Sequence, residues 1–186
     1  MPFASVPFAR WTTLAFVAVL LSGCFVSVMP LFGPDEADLP LSDGAKVTGY
    51  KLDDQGNRKD QPPTHMIVTR KKVSYIFTPD KDEPFRAMFD RIHDNFYIGV
   101  ILDIDINKPP LYGLFHQVGN HWHGYSPVCS DFQKLAATKG KSLADFNIVH
   151  NPNGSDCQFR KYDDLKNALM FLAAYGKPDM EYVLGK

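Results

Sequence analysis

Between residues 46 and 126 apolar and polar positions tend to alternate, and an apolar period of 3.6 residues appears only in the last third of the chain. Lys46–Leu52 reads as a strand halted by Asp53-Asp54-Gln55-Gly56-Asn57, a run of turn-forming residues. Lys72–Thr78 (KVSYIFT) is dense in β-branched and aromatic side chains and stops at Pro79. Phe85–Ile92 alternates poorly and fits either a strand or a short helix. The clearest strand is Phe96–Ile106, with Leu102, Ile104 and Ile106 on one side and Ile101, Asp103 and Asp105 on the other; Pro109-Pro110 ends it. Leu111–Val118 and His121–Ser126 form a hairpin around Gly119-Asn120, a glycine-first two-residue turn.

Helical signals follow. Ser130 with Gln133 has the pattern of a capping box, and the helix it opens would stop at Gly140. Phe146–His150 and Cys157–Phe159 flank the turn residues Asn151-Pro152-Asn153-Gly154. Asp163 and Asp164 suit the positive end of a second helix reaching about Tyr175. It places Leu165, Ala168, Leu169 and Leu172 on one face, and Gly176 and Pro178 stop it. Met180–Leu184 then closes a sheet edge. Consecutive strands joined by short turns pair antiparallel, which predicts an α+β fold: an antiparallel β-sheet or small open barrel with two short helices in the C-terminal half.

The N-terminus has a different character. Arg10, the apolar run Leu14–Leu21 and the small residues Ser22-Gly23 make residues 1–23 an export signal. The run is too short for a bilayer core, which needs roughly 20 apolar residues. Leu21-Ser22-Gly23-Cys24 resembles the lipobox of bacterial lipoproteins at all four positions. The resemblance implies cleavage before Cys24, a diacylglycerol thioether on its sulfur, and a further acyl chain such as palmitate on the new amino group. A thiolate is the nucleophile that such acylation requires. Several chains give a stable anchor, since each buried methylene adds about 0.8 kcal/mol.

Trp11–Phe32 holds no charge and also fits an uncleaved anchor helix, but Gly23 and Pro30 interrupt that span. Both readings put residues 33–186 outside the cytoplasm. Aspartate after the cysteine resembles an inner-membrane retention signal; Phe25 stands there, which in a Gram-negative host favours the outer membrane, facing the periplasm. Pro30, Pro34 and Pro40 with Asp35, Glu36 and Asp38 make residues 24–43 read as the lipidated cysteine and an extended tether, with one α+β domain over residues 44–186.

Charge narrows the partners. The chain has 20 Lys and Arg against 21 Asp and Glu, and losing Arg10 with the signal leaves 19 against 21. That balance gives no electrostatic case for nucleic acid. Arg70-Lys71-Lys72 is the densest basic run and reads as a solvated strand edge or turn. With Cys24 acylated, Cys129 and Cys157 remain, an even number that in an oxidising compartment suggests one disulfide. Closing that loop would stabilise the fold by about 3.6 kcal/mol on the chain-entropy relation. Two buried thiols or a metal pair are the alternatives.

Candidate chemistry centres on the hairpin. With Gly119-Asn120 as the turn, Val118 pairs with His121 and His116 with His123, so His116, His121 and His123 share one face while Gln117 and Trp122 take the other. Three imidazoles converging would suit zinc, with an activated water as fourth ligand; a merely solvated strand face gives the same pattern. Asp103 and Asp105 also share a face, as paired carboxylates or as the wet side of an amphipathic strand. Read as a calcium loop, Asp103–Asn107 fails where Lys108 replaces glycine and Leu114 the bidentate glutamate. No GxSxG, P-loop, HExxH or GxGxxG motif occurs, so no catalytic centre is legible. The expected function is non-catalytic: an envelope lipoprotein, membrane-bound through lipid on Cys24, that holds a protein, glycan or lipid partner. The alternative is a metal-binding protein or metal-dependent hydrolase built on the histidine hairpin.

Overall fold

A computed structural model describes residues 23–102, 108–150 and 156–185. Its strands are β1 (Phe25–Val26), β2 (Lys46–Lys51), β3 (Thr64–Lys71), β4 (Ser74–Pro79), β5 (Phe85–His93), β6 (Phe96–Leu102), β7 (Leu111–Val118), β8 (His121–Tyr125), β9 (Val149–His150), β10 (Cys157–Gln158) and β11 (Met180–Gly185). Two α-helices, α1 (Cys129–Thr138) and α2 (Tyr162–Tyr175), and a 3-10 turn at Leu143–Phe146 complete the described elements.

Strands β2 to β8 run as an antiparallel meander, each bonded to the next. β11 then inserts between β8 and β2, antiparallel to both, and the ring of eight strands is closed. The expectation of an open sheet or open barrel is corrected on this point. Met180–Leu184, read as an edge strand, has partners on both sides, and closure leaves those strands no edge to protect. Mostly β, the fold keeps the two expected helices and the disulfide, Cys129 to Cys157 with Cα atoms 5.2 Å apart.

Strand alternation sorts the side chains into two cores. Val47, Met66, Val68, Tyr75, Phe77, Ala87, Phe89, Tyr97 and Trp122 point into the barrel lumen. Met88, Ile98, Val100, Tyr112, Leu114 and Tyr125 point outward from β5 to β8, where Phe132 and Ala136 of α1 and Leu165, Ala168 and Leu169 of α2 cover them. Two inward glycines make room for lumen rings: a Cβ at Gly99 would lie 2.5 Å from a ring carbon of Phe115, and one at Gly124 2.9 Å from a ring carbon of Tyr182.

Residues 25–43, expected to be an extended tether, are folded into the molecule. β1 lies beside β7 and parallel to β10, with Phe25 wholly buried and its ring 5.0 Å from Phe132 and 4.8 Å from Phe159. Phe32 packs on Tyr162 of α2. The segment then crosses one end of the barrel: Asp38 N–H donates to Phe89 O, Gly44 N–H to Val68 O, and Leu41 is clasped by Tyr75, whose hydroxyl accepts from Leu41 N–H and donates to Leu41 O. Apolar residues scattered without period among prolines carry no local signal, yet each finds a distant pocket.

Two smaller corrections concern local chemistry, and one open choice is decided. Ser130 does not cap α1; the cap position is Val128, with no side-chain cap bond. β3 was not anticipated, and the hairpin joining it to β4 turns at Lys72, which adopts φ 54° without being glycine. Phe85–His93 resolves as strand. The signal residues 1–22, the carboxylates Asp103 and Asp105 with the rest of the calcium-like loop, and the turn Asn151–Gly154 lie outside the described residues.

Candidate functional site

The lumen is the first candidate. At the end crossed by residues 38–45 Leu41 floors it, and above Leu41 an apolar cavity of about 90 Å³ runs between the strands. Met66, Phe77, Phe89, Ile101, Phe115 and Leu184 are among its walls, together with Trp122 and Tyr182. An eight-stranded barrel is at the size where side chains just fill the interior or leave room for one small ligand. Burial pushes the Tyr182 phenol well above its ordinary range, so it stays neutral.

Polar groups in the lumen are treated unequally. Tyr75 is satisfied by the Leu41 backbone, and Tyr97 OH accepts from Arg91 Nη2 at 3.0 Å. Trp122, 3% exposed, has its Nε1–H buried with no acceptor among the described residues. A buried donor left unmatched costs about 1–3 kcal/mol.

The histidine-bearing wall is the second candidate. Its register is the one read from sequence: Val118 opposite His121 and His116 opposite His123, with Gly119 at φ 64° in the turn. All three histidines face outward, and Gln117 and Trp122 face the lumen. His116 stacks on Phe96 with ring centroids 4.1 Å apart; burial, then the neighbouring His123, lowers its pKa. His121 Nδ1 lies 2.6 Å from Glu181 Oε1, and Arg58 Nε donates to Glu181 Oε2 at 2.7 Å. Arg58 also covers the Tyr50 ring at 3.7 Å. The Arg58 bond chiefly, with His121 adding, holds the Glu181 carboxyl down at about 2. An ionised carboxylate only accepts, so His121 carries a proton on Nδ1. Among the described residues no three His, Cys, Asp or Glu side chains are grouped to hold a metal ion.

Sequence reasoning found the histidines and missed the lumen. Its lining comes from every barrel strand and Leu41, and no local spacing announces such a set. Together these features define a closed antiparallel barrel with an apolar interior, capped on one outer face by helices. Compared with protein-family models, curated proteins and solved structures, the chain matches none.

Proposed function

We propose that the chain is an envelope lipoprotein, acylated on Cys24 and held at a membrane, whose barrel is a non-catalytic binding module for a ligand with an alkyl chain. In a Gram-negative host its place is the outer membrane, facing the periplasm. The observation that carries the binding reading is the apolar lumen cavity, with the Trp122 side chain in its wall. At about 90 Å³ the cavity is smaller than the roughly 150 Å³ that holds benzene, so it takes a few carbons of chain and leaves the rest outside. Almost no polar surface lines it, which makes it poor housing for water. No helix among the described residues is long and apolar enough to cross a membrane, and the lipid on Cys24 would supply the attachment.

Trp122 is the sole tryptophan after Cys24, so its emission reports on the lumen directly. Titration with methyl octanoate should give a saturable change. The Ala87→Leu protein, with the cavity partly filled, should lose the response. No saturable change in the wild type, or an unaltered one in Ala87→Leu, would end the lumen reading.

One observation favours a second reading, a metal-binding wall. Glu181 holds His121 by Nδ1 as outer-shell carboxylates hold metal-ligating histidines, with His123 two residues along the same strand. Calorimetric zinc titration of the wild type, His121→Ala and His123→Ala proteins tests it: binding that falls sharply in both variants and below about pH 6 supports the site. Equal binding by all three removes it.

A further inference from the structure

Large apolar side chains standing singly on a surface need no explanation, but two adjacent ones on a braced loop beside an attachment point do. Val28 is 78% exposed and Met29 72%. The loop that carries them is fixed from beneath. Tyr112, almost wholly buried, has its hydroxyl 2.7 Å from Ser27 Oγ and accepts from Leu31 N–H at 2.8 Å. Ser27 Oγ also bonds Met29 O, closing the turn on itself. No residue from Phe25 to Pro34 is charged.

The attachment point is equally fixed. Cys24 N–H donates to Asp156 Oδ1 at 3.0 Å and Cys157 N–H donates to Cys24 O. Cys24 therefore stands directly before β1, with no slack between it and the barrel. Met29 is five positions further along the chain, a reach of at most about 18 Å even fully extended. Val26 pairs with Leu111, the first residue of β7, so the loop projects past the end of the barrel opposite Leu41.

We propose that the Val28–Met29 loop is a membrane-docking tip, burying its two side chains in the lipid interface beside Cys24 and setting the barrel end-on to the bilayer. The inference rests on the chain being membrane-held at Cys24, whether by acyl chains or by the apolar run Leu14–Leu21 left in place. An apolar tip pinned that close to an anchored residue reaches the interfacial zone, where apolar faces bury about 5–10 Å deep. The occupant is a lipid surface. A folded partner would have to share the space between the loop and the bilayer.

The test uses the full-length chain, expressed with its own N-terminus and returned to phosphatidylethanolamine–phosphatidylglycerol vesicles with brominated acyl chains. In a Trp11→Phe, Trp122→Phe background, single Val28→Trp, Met29→Trp and Asn120→Trp proteins are compared. Asn120 sits at the far end of β7, about 25 Å along the strand, and serves as the distant control. Indoles at 28 and 29 should lose most of their emission to bromine, and the indole at 120 almost none. Absent quenching at 28 and 29, equal quenching at all three, or failure of the protein to stay with the vesicles overturns the docking tip. Labelled palmitate on Cys24 is scored in the same preparation. Its absence defeats the lipoprotein reading, while quenching still decides the fate of the loop.

Discussion

Strands β5 to β8 serve two cores at once, one on each side. Outside them, under α1 and α2, Phe25, Phe132, Phe159, Ile98, Leu114, Leu165 and Leu169 are all sealed from solvent and the disulfide ties α1 to β10. Inside, the lumen holds larger rings, several only partly covered, around a cavity and an unmatched indole N–H. Flexible helices can settle onto a sheet until gaps close, whereas a closed ring of eight strands fixes its own diameter. Tightness where elements can adjust and slack where geometry forbids it is how a small domain obtains a binding space.

The largest expected contrast comes from truncation. Leu165→Ala in the outer core should cost about 2–5 kcal/mol, since neighbours packed on every side leave a cavity behind. Leu184→Ala at the lumen wall, where Leu184 is already partly exposed, should cost about 1 kcal/mol. Urea midpoints with unchanged slope measure both, and equal losses would break the distinction.

Next is the disulfide. Replacing Cys129 and Cys157 together by alanine should cost about 2–4 kcal/mol by lengthening the free loop in the unfolded chain. Hydrogen exchange would sharpen the comparison: amides of α1 and β10 should open first while β3 and β4 keep their protection. Parallel loss in both regions would mean that the cores unfold as one unit.

Insertion gives a smaller effect of opposite sense. Ala168→Leu, under a helix with no space to spare, should destabilise by about 1–3 kcal/mol. Ala87→Leu, facing the cavity, should change stability by less than about 1 kcal/mol in either direction. A heavy cost at both sites would show the lumen to be as tightly filled as the outer core.

What the sequence disclosed follows from which interactions are local. The β7–β8 register and the outward histidines were legible because Gly119 sets the turn and alternation does the rest. The faces of α2 and the cysteine pairing were legible for similar reasons, period and parity. β3 was hidden because Lys72 takes the left-handed conformation without being glycine, and because Ile67 faces outward between inward Met66 and Val68, which erases alternation. The folded path of residues 25–43 was hidden because Phe25, Phe32 and Leu41 are each buried by partners far along the chain. Closure by β11, and with it the lumen, depends on Met180–Gly185 finding β2 across more than half the sequence.

The smallest effect tests the wall that belongs to neither core. Glu181, bonded by Arg58 and His121, has its carboxyl held at about 2, against about 4.3 for an unfolded glutamate. A carboxyl depressed on folding adds stability in full above the unfolded value and loses it as pH falls toward the folded one. The contribution should therefore be constant from neutral pH down to about 4.5 and fade between there and about 2. Both partners, Arg58 and His121, are well exposed, so water screens the bonds and the contribution should stay within about 1 kcal/mol. Glu181→Gln should melt slightly below the wild type at pH 7, and the difference should vanish on acidification. Thermal melts from pH 7 to pH 2 decide it: a difference that persists unchanged at pH 2 would place the role of Glu181 in packing, and the wall would then join the lumen side of the comparison through β11.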